Sequence, residues 1–389
     1  MASLYSGLDY DALKKEAKGF TNPHVVIKIN GEDDFTVKNP EIAISQIEVD
    51  LSSGFEASVA SYRMYGTYDV NTGNFKIKDY GKFFMIGSAV EIAMGYTSSV
   101  KTVFVGVITK VNFVFDDLGL PYVAVTAMDV KGLMMANNHS RQLKATTVSD
   151  AVKEIFDGEP YGSKTDSSAG IIRGVTVENT PDVLAQMQDT SGKDKPTIEM
   201  VGESDYEFVV RMAKKVNFDF FVSAGTVIFR PAKADTLSLM TIRPQNILRT
   251  FDVEFDITGL VGQVEVRATD TDTGKLITSK QKINNKWSLG NDAKSLVSNN
   301  VMTYLDSTVH SQAEADMRVK YLAESVAYRF GTLRCETVGI PDLIPGSFIM
   351  IRGLGDELNN KFYLKKVRHV MTRKGEYRCT LEGCAATLK

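Results

Sequence analysis

The strongest constraint on this chain is that one arrangement of residues occurs twice. Ile86-Gly87-Ser88-Ala89-Val90-Glu91-Ile92 leads to Gly95, and Pro345-Gly346-Ser347-Phe348-Ile349-Met350-Ile351 leads to Gly353. The first copy is followed by residues 103–114, a turn at Gly119 and residues 122–126. The second is followed by residues 362–371, a turn at Gly375 and residues 377–381. Both therefore read strand, glycine turn, long strand, turn, closing strand. Gly-Ser ahead of alternating apolar residues also occurs in unrelated β proteins, which is the plain alternative. The shared order favours two diverged copies of one β-barrel-like unit.

At 389 residues the chain exceeds a single ordinary core. The pattern along it predicts a mainly β, α+β protein: two related antiparallel β-barrel-like tube domains flanking a mixed α/β domain. The expected divisions are an N-terminal arm at 1–23, a first β domain at 24–138, the mixed domain at 139–248 and a second β domain at 249–389. In the first β domain Ile42 and Ile44, then Ile47, Val49 and Leu51, alternate with polar residues, Glu48 and Asp50 among them. Val103, Val105, Val107, Val111, Phe113 and Phe115 are expected on one strand face, and Phe104, Ile108 and Val114 on the other. A strand apolar on both faces fits a barrel wall covered by a neighbour, or an inter-subunit contact. Turns are expected at residues 71–74 and 116–119.

In the mixed domain Thr147 caps a short helix, Thr180-Pro181 opens another, and Ser204-Asp205-Tyr206-Glu207 is a capping box ahead of Phe208, Val209, Met212, Ala213 and Val216. A hairpin turning at Gly225 follows, while 157–179 and 188–197 read as exposed loops. In the last third, Phe251, Val253, Phe255 and Ile257 alternate with Asp252, Glu254 and Asp256 as a half-buried strand. Residues 270–274 read as a hairpin turn. Residues 284–310, with the only tryptophan, Trp287, read as a polar stretch. A second capping box, Ser311-Gln312-Ala313-Glu314, opens a long helix expected at 311–330.

The side chains that carry chemistry do not assemble into a known motif. The histidines His24, His139, His310 and His369 lie in no metal-ligand or nucleophile spacing, and His369 reads as structural. Cys335, Cys379 and Cys384 read as reduced, partly buried thiols of a protein made in the cytoplasm, since Cys379 and Cys384 lack a completing histidine. Residues 270–274 lack the distal glutamate of a calcium loop. No phosphate-cradling loop or nucleophile elbow appears. The expectation is no catalytic residue, no cofactor-binding residue, no metal and no enzyme. A net charge of −3, evenly mixed, argues against stable nucleic-acid binding. The absence of an apolar run of roughly 20 residues argues against membrane insertion, and residues 1–5 lack signal-peptide character.

Three stretches resemble the phage late control protein D family, the baseplate hub of contractile tails. They are Gly87-Ser88 to Gly95-Tyr96 followed by residues 103–109; Gly202-Glu203-Ser204-Asp205-Tyr206-Glu207-Phe208 through Phe229; and residues 313–330 leading to Gly339, Gly346 and His369-Val370. Val209 and Met212 depart from the leucines of the second motif. The N-terminal hub part of type VI secretion spike proteins has a similar architecture. The resemblance implies a homotrimer contacting a tail tube protein, a spike protein and other baseplate components. It implies residence in a virion tail or tail-like particle assembled in the bacterial cytoplasm. It also implies that the spike is a separate protein, because this chain stops at Lys389. The implied function is a trimeric symmetry adaptor between a hexameric tube and a trimeric spike, its barrels lining a channel. Loops within 52–84 and 284–310 are the candidate contacts. Phage, bacteriocin-like tail and other injection systems all remain open as the parent particle. A carbohydrate- or protein-binding β module of a baseplate is the alternative, which an exposed aromatic cluster would favour; a tail-borne peptidoglycan hydrolase lacks a catalytic constellation.

Overall fold

Residues 103–108 are buried on both faces, and that segment fixes how the layers of the molecule stack. The computed structural model describes residues 7–32, 39–97, 99–115, 119–162, 170–180, 198–233, 237–270, 273–283, 289–307, 309–372 and 374–388. The first β region contains β1 (Pro23–Ile29), β2 (Ala43–Ser52), β3 (Val59–Tyr65), a small hairpin of β4 (Tyr68–Asp69) and β5 (Asn74–Phe75), β6 (Ala89–Tyr96), β7 (Ser99–Val114) and β8 (Tyr122–Met128). The middle region contributes β9 (His139–Gln142), β10 (Gly174–Val177), β11 (Glu199–Glu203), β12 (Phe218–Ser223) and β13 (Thr226–Pro231). The last region holds β14 (Ser238–Ile242), β15 (Leu248–Phe255), β16 (Gln263–Thr269), β17 (Leu276–Lys282), β18 (Val301–Leu305), β19 (Gly331–Val338), β20 (Phe348–Ile351), β21 (Asn360–Met371) and β22 (Tyr377–Ala385).

Strands from both β regions belong to one 12-stranded sheet, in the order β1-β6-β7-β8-β3-β2-β21-β22-β19-β15, with β20 on β21 and β14 on β20. The mainly β class with large antiparallel sheets is as expected. The two regions join where β2 runs antiparallel to β21, from Ile47 opposite Met371 to Ser52 opposite Lys366. One hydrophobic core spans the join, with Ile27, Val49, Tyr62 and Phe104 from the first region and Ile349, Phe362, Val367 and Leu381 from the second. Tyr96 Oη donates to the Gly339 carbonyl at 2.9 Å across the same boundary.

The mixed region covers the other face of β7. Helices Val148–Asp157 and Asp205–Val216 pack against the β12–β13 hairpin around Phe156, Phe208, Phe220 and Phe229, and Val107 of β7 joins that cluster. The hairpin turn at Ala224-Gly225, both with positive φ, sits so close that a Cβ on Gly225 would lie 3.0 Å from Val105. Beyond the main sheet, β16 lies between antiparallel β17 and parallel β18. Helix Gln312–Ala327 packs Ala315, Val319, Leu322 and Val326 onto Val264, Val266 and Ala268 of this smaller sheet.

Several local expectations hold. Thr147 Oγ1 accepts from the Asp150 N–H at 3.0 Å. Ser204 and Glu207 form the reciprocal capping box. Asp69 and Gly73 close the β4–β5 turn, and Gly274 closes the β16–β17 turn. Others are corrected. The phase break between Ile44 and Ile47 is a bulge in β2 against β3, with Gln46 at φ +53°. A second bulge, against β6, sends both Val103 and Phe104 into the main core. A third, against β8, carries Val111 to the side of Ile108, while Val107 faces the mixed region. The simple alternation expected for β7 therefore fails, because each bulge shifts the two-residue period by one.

Residues 174–177, expected as loop, form β10, paired in parallel with β13, and Ile171 and Ile172 are buried. Residues 291–299 and 301–305, expected as part of a polar stretch, form a helix and β18. The long helix ends at Ala327, and Phe330 lies beyond it against Phe255. Glu314 does not complete a capping box. Its carboxylate accepts from the His310 N–H at 2.7 Å and pairs with Lys215 at 2.8 Å. The helix expected to open at Thr180-Pro181 would run from Pro181 into residues outside the described ones, where the loop at 188–197, Trp287 and most of the turn at 116–119 also lie.

Candidate functional site

The repeat is closest at its bends. In the first unit the Gly87 N–H donates to the Ile108 carbonyl at 2.9 Å and the Ile108 N–H donates to the Ser88 carbonyl at 2.9 Å. In the second the Gly346 N–H donates to the Leu364 carbonyl at 2.9 Å and the Leu364 N–H donates to the Ser347 carbonyl at 2.8 Å. Gly87 and Gly346 have φ of +90° and +81°, a left-handed region that disfavours a side chain. One residue further on, both long strands bulge at the same place, between Ile108 and Lys110 in β7 and between Leu364 and Lys366 in β21.

These anchors set an equivalence across the whole sheet. Ile108 lies opposite Ala127, Ala127 opposite Ala60 and Ala60 opposite Val49. Leu364 lies opposite Gly383, Gly383 opposite Leu333 and Leu333 opposite Val253. Thus β2 corresponds to β15, with Ile47-Glu48-Val49-Asp50-Leu51 matching Phe251-Asp252-Val253-Glu254-Phe255. Likewise β7 corresponds to β21, so residues 110–115 match residues 366–371.

The site defined by this equivalence is a pair of strand edges. Residues 366–371 of β21 are covered by β2. Among the described residues, the corresponding edge of β7 beyond Ile108 has no partner strand, and neither does the outer edge of β15. Such edges present unpaired N–H and C=O groups in a row. An aromatic row runs alongside the β7 edge: Phe113 stacks edge-on against Phe75 and Phe84, and Phe115 lies 5.3 Å from Tyr68. Phe113 and Phe115 are 41% and 61% exposed, and Val70, Met85, Ile86 and Leu120 are exposed as well. Exposed apolar area of this kind marks a contact surface more often than a solvated one.

Exposed ion pairs cross the covered edge. Arg368 reaches both Glu48 and Asp50, the latter at 3.4 Å, and Lys366 Nζ lies 2.8 Å from Glu56. The Glu56 hydrogen bond raises the Lys366 ammonium above its ordinary pKa.

The titratable residues weighed for chemistry are dispersed. His24 and His310 are exposed, and His139 Nε2 stands 3.2 Å from Asp205. His369 is fully buried, with Nδ1 2.8 Å from Tyr377 Oη and Nε2 3.1 Å from the Leu343 carbonyl, and burial pushes its pKa down to about 4. Cys335, Cys379 and Cys384 are free and buried, and burial pushes the Cys335 and Cys379 thiols up to about 12. Asp252 and Glu254 face solvent, as expected. No group of three or more His, Cys, Asp or Glu among the described residues is placed to hold a metal. A groove of about 720 Å³ lies between helices Asp205–Val216 and Gln312–Ala327. Its charges are largely self-matched, Lys215 with Glu314 and Arg318 with Asp306, each at 2.8 Å. Among the described residues, no helix is long and apolar enough to cross a membrane.

Sequence reasoning named both alternating strands but did not align them. The signal was present: apolar-acid-apolar-acid-apolar at 47–51 and again at 251–255.

The fold is similar to that of solved phage tail proteins. It is similar to the tail protein from Neisseria meningitidis MC58, with a TM-score of 0.66 at 14% identity, covering 94% of this chain and 97% of that one. It is also similar to the 43 kDa tail protein of prophage MuSo2 from Shewanella oneidensis, with a TM-score of 0.65 at 12% identity, covering 94% and 99%. A further likeness is to the E. coli c3393 protein, described as a component of the type VI secretion system, with a TM-score of 0.50 at 13% identity, covering 92% and 76%. No curated protein matches in sequence. The chain belongs to the family described as the Alg8 N-terminal domain, whose model matches residues 24–177 and 159–373.

Proposed function

We propose that this protein is a structural baseplate hub of a contractile phage tail or tail-like injection particle. In this reading three copies form a symmetry adaptor between a six-fold tail tube and a three-fold spike. The observation that carries it is the internal repeat, matched down to the Gly-Ser bend and the bulge one residue beyond Ile108 and Leu364. Three chains with two like units each offer six like surfaces on one side while remaining three-fold on the other. The likeness in fold to phage tail proteins supports the same role. The small β4–β5 hairpin within 52–84 and the helix and strand within 289–310 are the proposed contacts with tube and spike.

Light scattering behind size exclusion tests the reading. A mass three times the 42.9 kDa of one chain is expected. A chain that stays monomeric, also when mixed with the spike protein of its particle, would overturn it. The aromatic row of Tyr68, Phe75, Phe113 and Phe115 favours a second reading, a carbohydrate- or protein-binding β module. That reading gains if the monomer binds glycans and Phe115→Ala abolishes the binding.

A further inference from the structure

We infer that the open edge of β15 adds to the open edge of β7 in a second copy of this chain, in the register that β2 and β21 use within one copy. This rests on the hub reading for the number of copies, but the pairing itself follows from the sheet. The chain contains one instance of the junction between a second unit and a first, β2 on β21. The same units, taken in the opposite order, leave their equivalent strands without a partner strand among the described residues. A copy that offers β15 at one end and β7 at the other makes a head-to-tail contact, which repeats until a ring closes.

Transferring the observed register across the repeat gives definite neighbours. Ile47 opposite Met371 becomes Phe251 opposite Phe115, and Val49 opposite His369 becomes Val253 opposite Phe113. Leu51 opposite Val367 becomes Phe255 opposite Val111, and Asp50 opposite Arg368 becomes Glu254 opposite Asn112. Ser52 opposite Lys366 becomes Asp256 opposite Lys110. Apolar residues meet apolar ones, and a carboxylate meets an ammonium, in a register fixed without reference to side chains. Asp252 opposite Val114 is the one mismatch. Cross-strand pairs of this kind, with main-chain bonding along the edge, are how a strand from another chain is recognised.

Burial agrees with the assignment. On the filled junction Ile47, Val49 and Leu51 are 4%, 0% and 4% exposed, whereas Phe251, Val253 and Phe255 are each only partly buried. Opposite them, Val367 and His369 are fully buried, whereas Phe113 and Phe115 are exposed. The unfilled positions are those a second copy would cover.

The test is disulfide trapping of the full chain carrying Asn112→Cys and Glu254→Cys, both at exposed positions. Mild oxidation is expected to give a denaturant-resistant ladder ending at three chain masses, while Asn112→Cys with Asp252→Cys, two residues out of register, links at least tenfold less. A three-chain mass in solution without the N112C/E254C link would overturn the strand pairing and leave the hub reading standing. Equal linking by both cysteine pairs would overturn the register. A chain monomeric at every concentration and unlinked would overturn the pairing. Phe113→Asp provides a check free of cysteine: its circular dichroism is expected to stay unchanged while its mass falls from three chains to one.

Discussion

The two strand edges of the repeat start from nearly the same sequence and end in different environments. On β2, Val49 between Glu48 and Asp50 is fully buried because β21 covers the edge; on β15, Val253 between Asp252 and Glu254 stays only partly buried because no strand among the described residues covers that edge. The difference teaches that an alternating strand specifies a face but not a neighbour. Which edge is filled depends on where the chain places the complementary unit. The mixed region carries the chain from the first unit to the second, and the units meet with β21 on β2, while the outer edges of β7 and β15 have no partner strand among the described residues.

Substitutions at equivalent positions would break this comparison most severely. Val49→Asp places an unpaired carboxylate in the shared core and should cost about 4 kcal/mol or more in denaturant unfolding. Val253→Asp should cost about 1 kcal/mol and act instead on the mass in solution. Equal losses of stability would mean that β15 is as enclosed as β2.

The next largest effect distinguishes the residues facing these strands. His369 is neutral when folded because burial holds its pKa near 4, below the ordinary 6.5, whereas its counterpart Phe113 does not titrate. The unfolded chain takes up a proton as pH falls below 6.5 and the folded chain does not. Stability contributed above pH 6.5 is therefore lost progressively down to about pH 4, by on the order of 3 kcal/mol. Unfolding measured at pH 7, 5.5 and 4 should show a flatter pH dependence in His369→Gln by that amount.

The two bends sharpen the comparison further. Gly346→Ala forces a Cβ to 2.7 Å from the Phe221 ring in a left-handed conformation, and Gly87→Ala meets only the conformation, with nothing within 4 Å. Thermal unfolding should report losses of roughly 3 and about 1 kcal/mol. The smallest effect is at the surface ion pairs of the junction. Arg368→Ala should cost no more than about 1 kcal/mol, less at high salt, because the side chain is 47% exposed.

Much of this was legible before the fold. The capping box at Ser204 and the helix cap at Thr147 use local hydrogen bonds, which depend on residues three apart. The repeat was visible because glycines with positive φ cannot drift freely in sequence. Bulges were not legible: at Gln46, Val103 and Thr109 no residue type announces one, and each reversed the faces assigned by simple alternation. The helix Asn291–Asn299 was missed because it buries only Val297, so its sequence lacks an apolar stripe.

By itself the sequence determined the class of the protein, the existence of two related units, the helix starts and the tight turns, because each is encoded within a few residues by dihedral preference, capping and burial period. Only the tertiary structure decided that the units share one sheet and one core, and that one junction is closed while its twin has no partner strand among the described residues. Strand pairing between residues more than 300 positions apart, such as Val49 with His369, depends on complementary edges meeting in space, and no local pattern records that meeting.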